Sequence, residues 1–199
     1  VVEGRAAGVT LADGAAIHAP AVLVAAGAWS GALPGIPAEA RIPVRPVKGQ
    51  IMRLRDPAGP AAPALLTRTI RYETGYLVPR GDGRYVLGAT MEEQGFDTTV
   101  TAGGAYELIR DAAELVPGVS ELVVDDFIAG LRPSTPDNAP VLGPHPACPG
   151  LFYATGHHRN GILLTPFTAD LLAAQLAGDA AADPFPPARF AAPVPTVLA

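Results

Sequence analysis

A chain of 199 residues, 49% hydrophobic and 17% charged, carries enough apolar material for one large domain or two small ones and is not a disordered segment. A formal net charge of −5 argues against general affinity for nucleic acid or anionic lipid. One cysteine, Cys148, excludes an internal disulfide and a multi-cysteine zinc centre, and no run reaches the roughly 18 apolar residues of a membrane span.

The chain opens without methionine and inside a hairpin pattern, with a turn at Ala12 to Gly14 between "GVTL" and "AAIHAPAVLVAAG". We therefore expect it to be the C-terminal part of something longer. No basic-then-apolar signal segment opens it, so the cytoplasm is the expected compartment. Ala21 to Gly27, "AVLVAAG", reads as a short buried strand of the parallel-sheet kind, and "GAWSGALPGIP" as a Gly/Pro-rich loop. From Ile42 to Asp56 apolar Val47, Ile51 and Leu54 alternate with polar Lys48, Arg53 and Arg55, predicting a strand. "DPAGPAAPA" is a proline-rich connection. Gly75 to Met91 predicts a hairpin turning at Asp82-Gly83. Thr101 to Gly118 predicts a helix with Thr101 as N-cap, an apolar face of Tyr106, Ile109, Ala113 and Val116, and Pro117-Gly118 as its end. Glu121 to Pro133 predicts a strand and "STPDNAPVLGP" a loop. "LFYAT" and the apolar stretch after Thr165 predict a final strand and helix. The Pro/Ala-rich tail reads as irregular.

The expected class is mixed α/β. Residues 1–41 and 138–180 would form one domain, an inserted antiparallel or mixed β-sheet domain would fill 42–137, and 181–199 would be the tail.

Several common catalytic and nucleotide-binding motifs are absent. There is no G-x-S-x-G, no phosphate-binding Walker loop, and no G-x-G-x-x-G between strand and helix. His157 and His158 are adjacent, so they point in different directions, and no Cys or carboxylate stands near them at ligand spacing. No metal site is expected.

Four segments carry candidate chemistry. In "GHHRNGILLTP", Gly156 permits a tight turn, Pro166 suits a first helical turn, and the N–H groups of Asn160 to Leu164 would be free beside Arg159. Such a loop is either a plain surface cap or a receptor for an anion or dipole beyond a strand's C-terminal end. Arg132 in "GLRP" is either one half of a surface ion pair or a two-pronged grip on a carboxylate. Tyr76 in "GYLVPR" is either a core aromatic or a substrate hydrogen-bonder. Met91 reads as packing.

Taken in order, "VLVAAGAWS", "PVKGQIMRL", "YLVPRGDGRYVLGATMEEQGFD", "FIAGLRPSTPDNAPVLG" and "LFYATGHHRNGILLTPFTADLLA" resemble the FAD-dependent amine and amino-acid oxidases of the D-amino-acid oxidase type. Among these they look most like the glycine oxidases of thiamine biosynthesis. The resemblance runs to about Gly178. It implies a two-domain enzyme with non-covalent FAD that oxidises a small amino acid to an imine by hydride transfer to the flavin, with oxygen then yielding hydrogen peroxide. By the same resemblance, His157, His158, Arg159, Asn160, Gly161, Ile162 and Leu163 would contact FAD, joined by Ala26, Gly27 and Trp29. Arg132 would bind the substrate carboxylate, Tyr76 would hydrogen-bond the substrate, Met91 would line its pocket, and Arg159 would support the site from the flavin loop.

The family's N-terminal βαβ unit and its glycine-rich fingerprint do not occur in these residues. The chain by itself is not expected to hold FAD tightly, and the missing FAD-binding half becomes its principal expected partner. A homo-oligomer is compatible with this reading. Thr74 and Gly75 carry no bulky group where the family faces its substrate, and Cys148 is not placed for covalent flavin. The alternatives are a D-amino-acid dehydrogenase, a sarcosine oxidase-like enzyme, a subunit of a hetero-oligomeric oxidase, and an inactive fragment that binds an amino acid or a partner chain.

Overall fold

The computed structural model describes residues 1–179 and 182–190. In chain order its elements are β1 (Gly8–Thr10), β2 (Ala16–His18), β3 (Val22–Val24), β4 (Arg45–Arg55), β5 (Ile70–Arg71), β6 (Tyr76–Pro79), β7 (Arg84–Gly88), α1 (Ala102–Leu115), β8 (Val123–Ser134), β9 (Val141–Pro144), β10 (Leu151–Thr155) and α2 (Thr165–Ala177). They fall into two compact units. One takes Val1–Pro46 and the chain from Arg132 on; the other is Val47–Leu131.

In the first unit β1 and β2 form an antiparallel ribbon whose turn is held by Asp13, its carboxylate accepting from the Ala15 N–H at 2.9 Å. The second sheet has the order β3-β10-β9. β3 and β10 run parallel, with Leu151 opposite Val22 and Tyr153 opposite Val24, while β10 and β9 run antiparallel. Val24, Ile42, Val141, Leu151 and Tyr153 make its core. Tyr153 is fully buried. Its hydroxyl donates to the Ala40 carbonyl at 2.7 Å, and burial pushes that hydroxyl up to about 12. β3 is covered on one face only, since Val24 is buried while Leu23 is 42% exposed.

In the second unit the sheet has the order β5-β6-β7-β4-β8. The β6–β7 hairpin turns at Asp82-Gly83 as its sequence requires, with Tyr76 opposite Gly88, and β4 pairs with β7 so that Leu54 faces Tyr85. Met52, Leu54, Leu77, Tyr85 and Leu87 meet Leu108, Ala112 and Val116 of the α1 segment. Thr101 caps α1, its hydroxyl accepting from the Gly104 N–H at 3.1 Å.

Five expectations need correction. α1 does not bury Tyr106, which is 64% exposed with Arg110 over its ring. The stripe against the sheet is Gly104, Leu108 and Ala112, because a Cβ at Gly104 would meet the Gln50 side chain at 2.5 Å and only glycine lets the helix start so close. The "PVLGP" part of the supposed loop is strand β9, and "GAWSGA" closes into a 3-10 turn over Gly27–Ala32. Lys48 is not on a solvent face: it is 1% exposed, because the start of β4 is covered on both sides and Glu92 pairs with it across a β-bridge. In the tail, Pro187–Phe190 forms a 3-10 turn. The expectation for 191–199 lies outside the described residues.

Candidate functional site

Because β3 and β10 are parallel, both release their following loops at the same end of the sheet. After β3 come half-buried Ala26, Gly27 with φ +54°, and Trp29, 55% exposed. After β10 comes Gly156, whose φ of +78° and whose missing Cβ, 2.8 Å from Thr135 Cγ2, both demand glycine. The two loops are joined directly. Thr155 Oγ1 donates to the Gly27 carbonyl at 3.0 Å, and Ser30 Oγ donates to Thr155 Oγ1 at 2.9 Å. The structure thus brings Ala26, Gly27 and Trp29 together with the start of the 157–163 loop.

The adjacent histidines do diverge. His157 Nε2 lies 3.0 Å from Thr168 Oγ1 on α2, and burial lowers its pKa from the ordinary histidine value. His158 turns the other way, its Nδ1 2.7 Å from Ser134 Oγ and its N–H donating to the Pro133 carbonyl at 2.9 Å. No group of three or more His, Cys, Asp or Glu side chains among the described residues could hold a metal ion.

The loop then tightens. The Asn160 N–H donates to His157 and the Leu164 N–H to Asn160, both at 2.9 Å, while Thr165 Oγ1 donates to the Gly161 carbonyl at 2.7 Å. Two of the N–H groups expected to be free are therefore consumed by the turn. Those of Gly161, Ile162 and Leu163 find no acceptor among the described residues. The Ile162 side chain is 94% exposed and that of Leu163 78%, and no described residue pairs with the Arg159 guanidinium. Open amides, a cation and two bare apolar side chains together suit a flat group with electron-rich edges.

Arg132 lies half-buried on β8, two residues before Ser134, in this same unit. Tyr76 and Met91 belong to the other unit. Tyr76 opens β6 with its ring over Gly88, where a Cβ would stand 2.9 Å from its hydroxyl. Met91, 59% exposed, follows Thr90 and precedes Glu92. That stretch is pinned from beneath: Gln50 Nε2 donates to Glu92 at 2.7 Å and to Thr101 at 3.2 Å, Thr90 Oγ1 donates to Glu92 at 2.5 Å, and Lys48 Nζ lies 3.4 Å from the Glu92 carboxylate. Burial alone would raise the Glu92 pKa, but the hydrogen bonds from Thr90 and Gln50 and the Lys48 charge outweigh it, and the carboxyl sits below its ordinary value.

Thr155, Ser134 and the Lys48–Glu92 cluster were not singled out from the sequence. Their partners stand far away along the chain, and no spacing rule marks them.

A parallel strand pair with loops at its C-terminal ends, interrupted in sequence by an inserted antiparallel sheet, is a layout that suits a ligand-binding α/β domain carrying an inserted domain. The chain belongs to the DAO family, FAD dependent oxidoreductase, whose sequence pattern matches residues 1–175. It is similar to the bifunctional protein ThiO/ThiG of Synechocystis sp., 43% identical over 162 residues that make up 81% of this chain and 24% of that one. It is 39% identical over 178 residues to a glycine oxidase of Bacillus licheniformis, covering 89% of this chain and 46% of the relative. The crystal structure of glycine oxidase from Geobacillus kaustophilus superposes with a TM-score of 0.78 at 38% identity over 89% of this chain and 46% of that one. The chain thus spans less than half the length of these relatives. The mixed α/β fold is that of glycine oxidase. Among the described residues no helix is long and apolar enough to cross a membrane.

Proposed function

We propose that this chain is the substrate-binding and flavin-ring-facing part of an FAD-dependent enzyme that oxidises a small amino acid, glycine or a close relative, to its imine. The observation that carries this reading is the joined pair of loops beyond β3 and β10, with open N–H groups at Gly161 to Leu163 beside exposed Ile162 and Leu163. These residues fit a flavin: the apolar side chains match its ring and the amides and Arg159 match its electron-rich edge. Bound there without a covalent link, FAD supplies a two-electron acceptor. His157, His158, Arg159, Asn160, Gly161, Ile162 and Leu163, with Ala26, Gly27 and Trp29, would hold it.

Arg132 would grip the substrate carboxylate through its planar fork, Tyr76 would hydrogen-bond the bound amino acid, and Met91 would line the pocket. The protein's contribution is then orientation, with the α-carbon held toward the acceptor and the amine kept neutral. The name of the glycine oxidase relative supports glycine as the first substrate to try, and the motif resemblance supports a link to thiamine biosynthesis. The half of the FAD domain that lies outside these residues is the principal partner on this reading, and the cytoplasm the compartment.

The test is the visible spectrum of the flavoprotein that contains this chain, before and after glycine is added without oxygen. Bleaching by glycine, followed by oxygen uptake on aeration, supports the proposal. A flavin bleached by D-alanine or sarcosine but not by glycine moves the substrate within the class. A protein that takes up no FAD overturns it.

A further inference from the structure

We propose that Ser134 and His158 act as a positioning clasp that sets Arg132 in register with the 157–163 loop, an inference that rests on the reading above of what that arginine and that loop bind. All the parts lie in one compact unit. Arg132, Pro133 and Ser134 are the last three residues of β8. Pro133 has a fixed φ, which removes one pivot between the arginine and the serine.

From this strand end two bonds reach the loop. The Pro133 carbonyl accepts from the His158 N–H at 2.9 Å, and Ser134 Oγ lies 2.7 Å from His158 Nδ1. Ser134 is fully buried and His158 half-buried, so this contact is partly shielded from water. His158 has φ +49°, in the left-handed region that residues with a Cβ seldom enter. A non-glycine residue stays in that region when its surroundings hold it there, and here the same strand holds both its backbone and its ring.

The next residue extends the brace. Thr135, also fully buried, packs its methyl group against Gly156, and its carbonyl accepts from Arg45 at 3.2 Å. On the loop's far side His157 is tied to Thr168 of α2. The two histidines thus anchor one loop to two different elements, and His158 ties it to the strand that carries Arg132. Transfer of a hydride is sensitive to misplacement: an error of about 1 Å costs on the order of a hundredfold in rate. A carboxylate anchor on one element and an acceptor-facing loop on another need a link of this kind. Ser134 and His158 are positioning residues in this scheme, acting through Arg132 and the loop.

The experiment uses the flavin-loaded holoenzyme and follows anaerobic flavin reduction by stopped flow, with glycine, sarcosine and D-alanine each tried as the amine. Ser134→Ala and His158→Phe should each slow the limiting reduction rate about ten- to a hundredfold; in Ser134→Ala, whose side chain is not among those proposed to hold the flavin, flavin content should stay nearly unchanged. The double variant should be no slower than the worse single one, since both remove the same bond. His158→Asn keeps a hydrogen-bonding group near the same place and tolerates positive φ, so it should reduce faster than His158→Phe. Ser134→Ala reducing at the parental rate overturns the proposal. A wild-type flavin that none of the three amines bleaches fails the functional reading first and overturns the clasp with it. Where His158→Phe does not fold, the parental protein decides: an imidazole nitrogen-15 shift of Nδ1 that responds to Ser134→Ala supports the clasp, and one that does not respond overturns it.

Discussion

Arg132 and Tyr72 show what single side chains are asked to do. If Arg132 holds a substrate carboxylate with two parallel charge-assisted bonds, Lys keeps the charge and loses the fork. Losing one such bond, worth about 1.5–3 kcal/mol, should raise KM for glycine about ten- to a hundredfold in Arg132→Lys. Flavin content should not change, and an unchanged KM would remove Arg132 from the site. Tyr72 poses the reverse case. Its hydroxyl is buried with no hydrogen-bond partner among the described residues, and burial, then the nearby Asp111 charge, raises its pKa from the ordinary tyrosine value. An unpaired buried hydroxyl costs about 1–3 kcal/mol, whereas Phe fills the same space without that penalty. Tyr72→Phe should therefore raise the free energy of unfolding by about 1 kcal/mol in a urea titration. A loss of similar size would mean that the hydroxyl has a partner.

Elements are positioned here by polar ties at their ends as much as by apolar faces. Gln50 reaches from β4 to the cap of α1: the Thr101 N–H donates to its carbonyl at 2.9 Å while its amide donates to the Thr101 hydroxyl at 3.2 Å. The 3-10 turn at Pro187–Phe190 is clipped to the loop after β8 by Arg189, whose Nε lies 2.8 Å from the Asp137 carboxylate. The hydrogen bond from Arg189 holds Asp137 down to about 2 against an ordinary value of 3.8. A lowered folded-state pKa means that the clip's contribution is fully present above pH 3.8 and is lost as pH falls through about 2. Asp137 is 43% exposed, so solvent screening keeps that contribution under about 1 kcal/mol. Asp137→Asn should accordingly speed amide exchange at Phe185 and Arg189 at neutral pH and make much less difference near pH 2. A difference undiminished at pH 2 would assign the effect to something other than this ion pair.

At the largest scale, the described residues form two hydrophobic cores with no residue in common, one around Leu87 and the other around Tyr153. Leu87 is completely buried between β6, β4 and α1. Leu87→Ala should cost about 2–5 kcal/mol, the transfer term plus the cavity left behind. The loss should appear in hydrogen exchange as reduced protection of β6, β7 and α1, with β9 and β10 amides keeping theirs. Equal loss of protection in β9 and β10 would mean that the units unfold as one cooperative body.

Local patterning was enough to place most of the elements. Alternation marked β4 and the β6–β7 hairpin, Asp82-Gly83 marked its turn, Thr101 marked the start of α1, and an apolar run between glycine and proline signals marked β10 and α2, because each of these depends on a residue's near neighbours. The loop worth inspecting was legible for the same reason, since Gly156, Arg159 and Pro166 stand within a dozen residues. What the sequence left open involves partners far apart in the chain. Lys48 reads as a surface lysine until Glu92 is folded onto it. Tyr106 belongs to an apolar stripe until Gly104 and Gln50 decide which side of α1 meets the sheet. "VLGP" is a loop until β10 offers it an antiparallel edge. Thr155 reaches Gly27, and Ser134 reaches His158, only after the parallel pairing of β3 with β10 and the return of β8 have brought them within a hydrogen bond. Sequence alone determined most of the elements, because periodicity, capping and turn chemistry are local, and its motifs, taken in order, carried the resemblance to the family. Tertiary structure alone decided which polar side chains are buried and what they hold, because a hydrogen bond acts over about 3 Å of space whatever the separation along the chain.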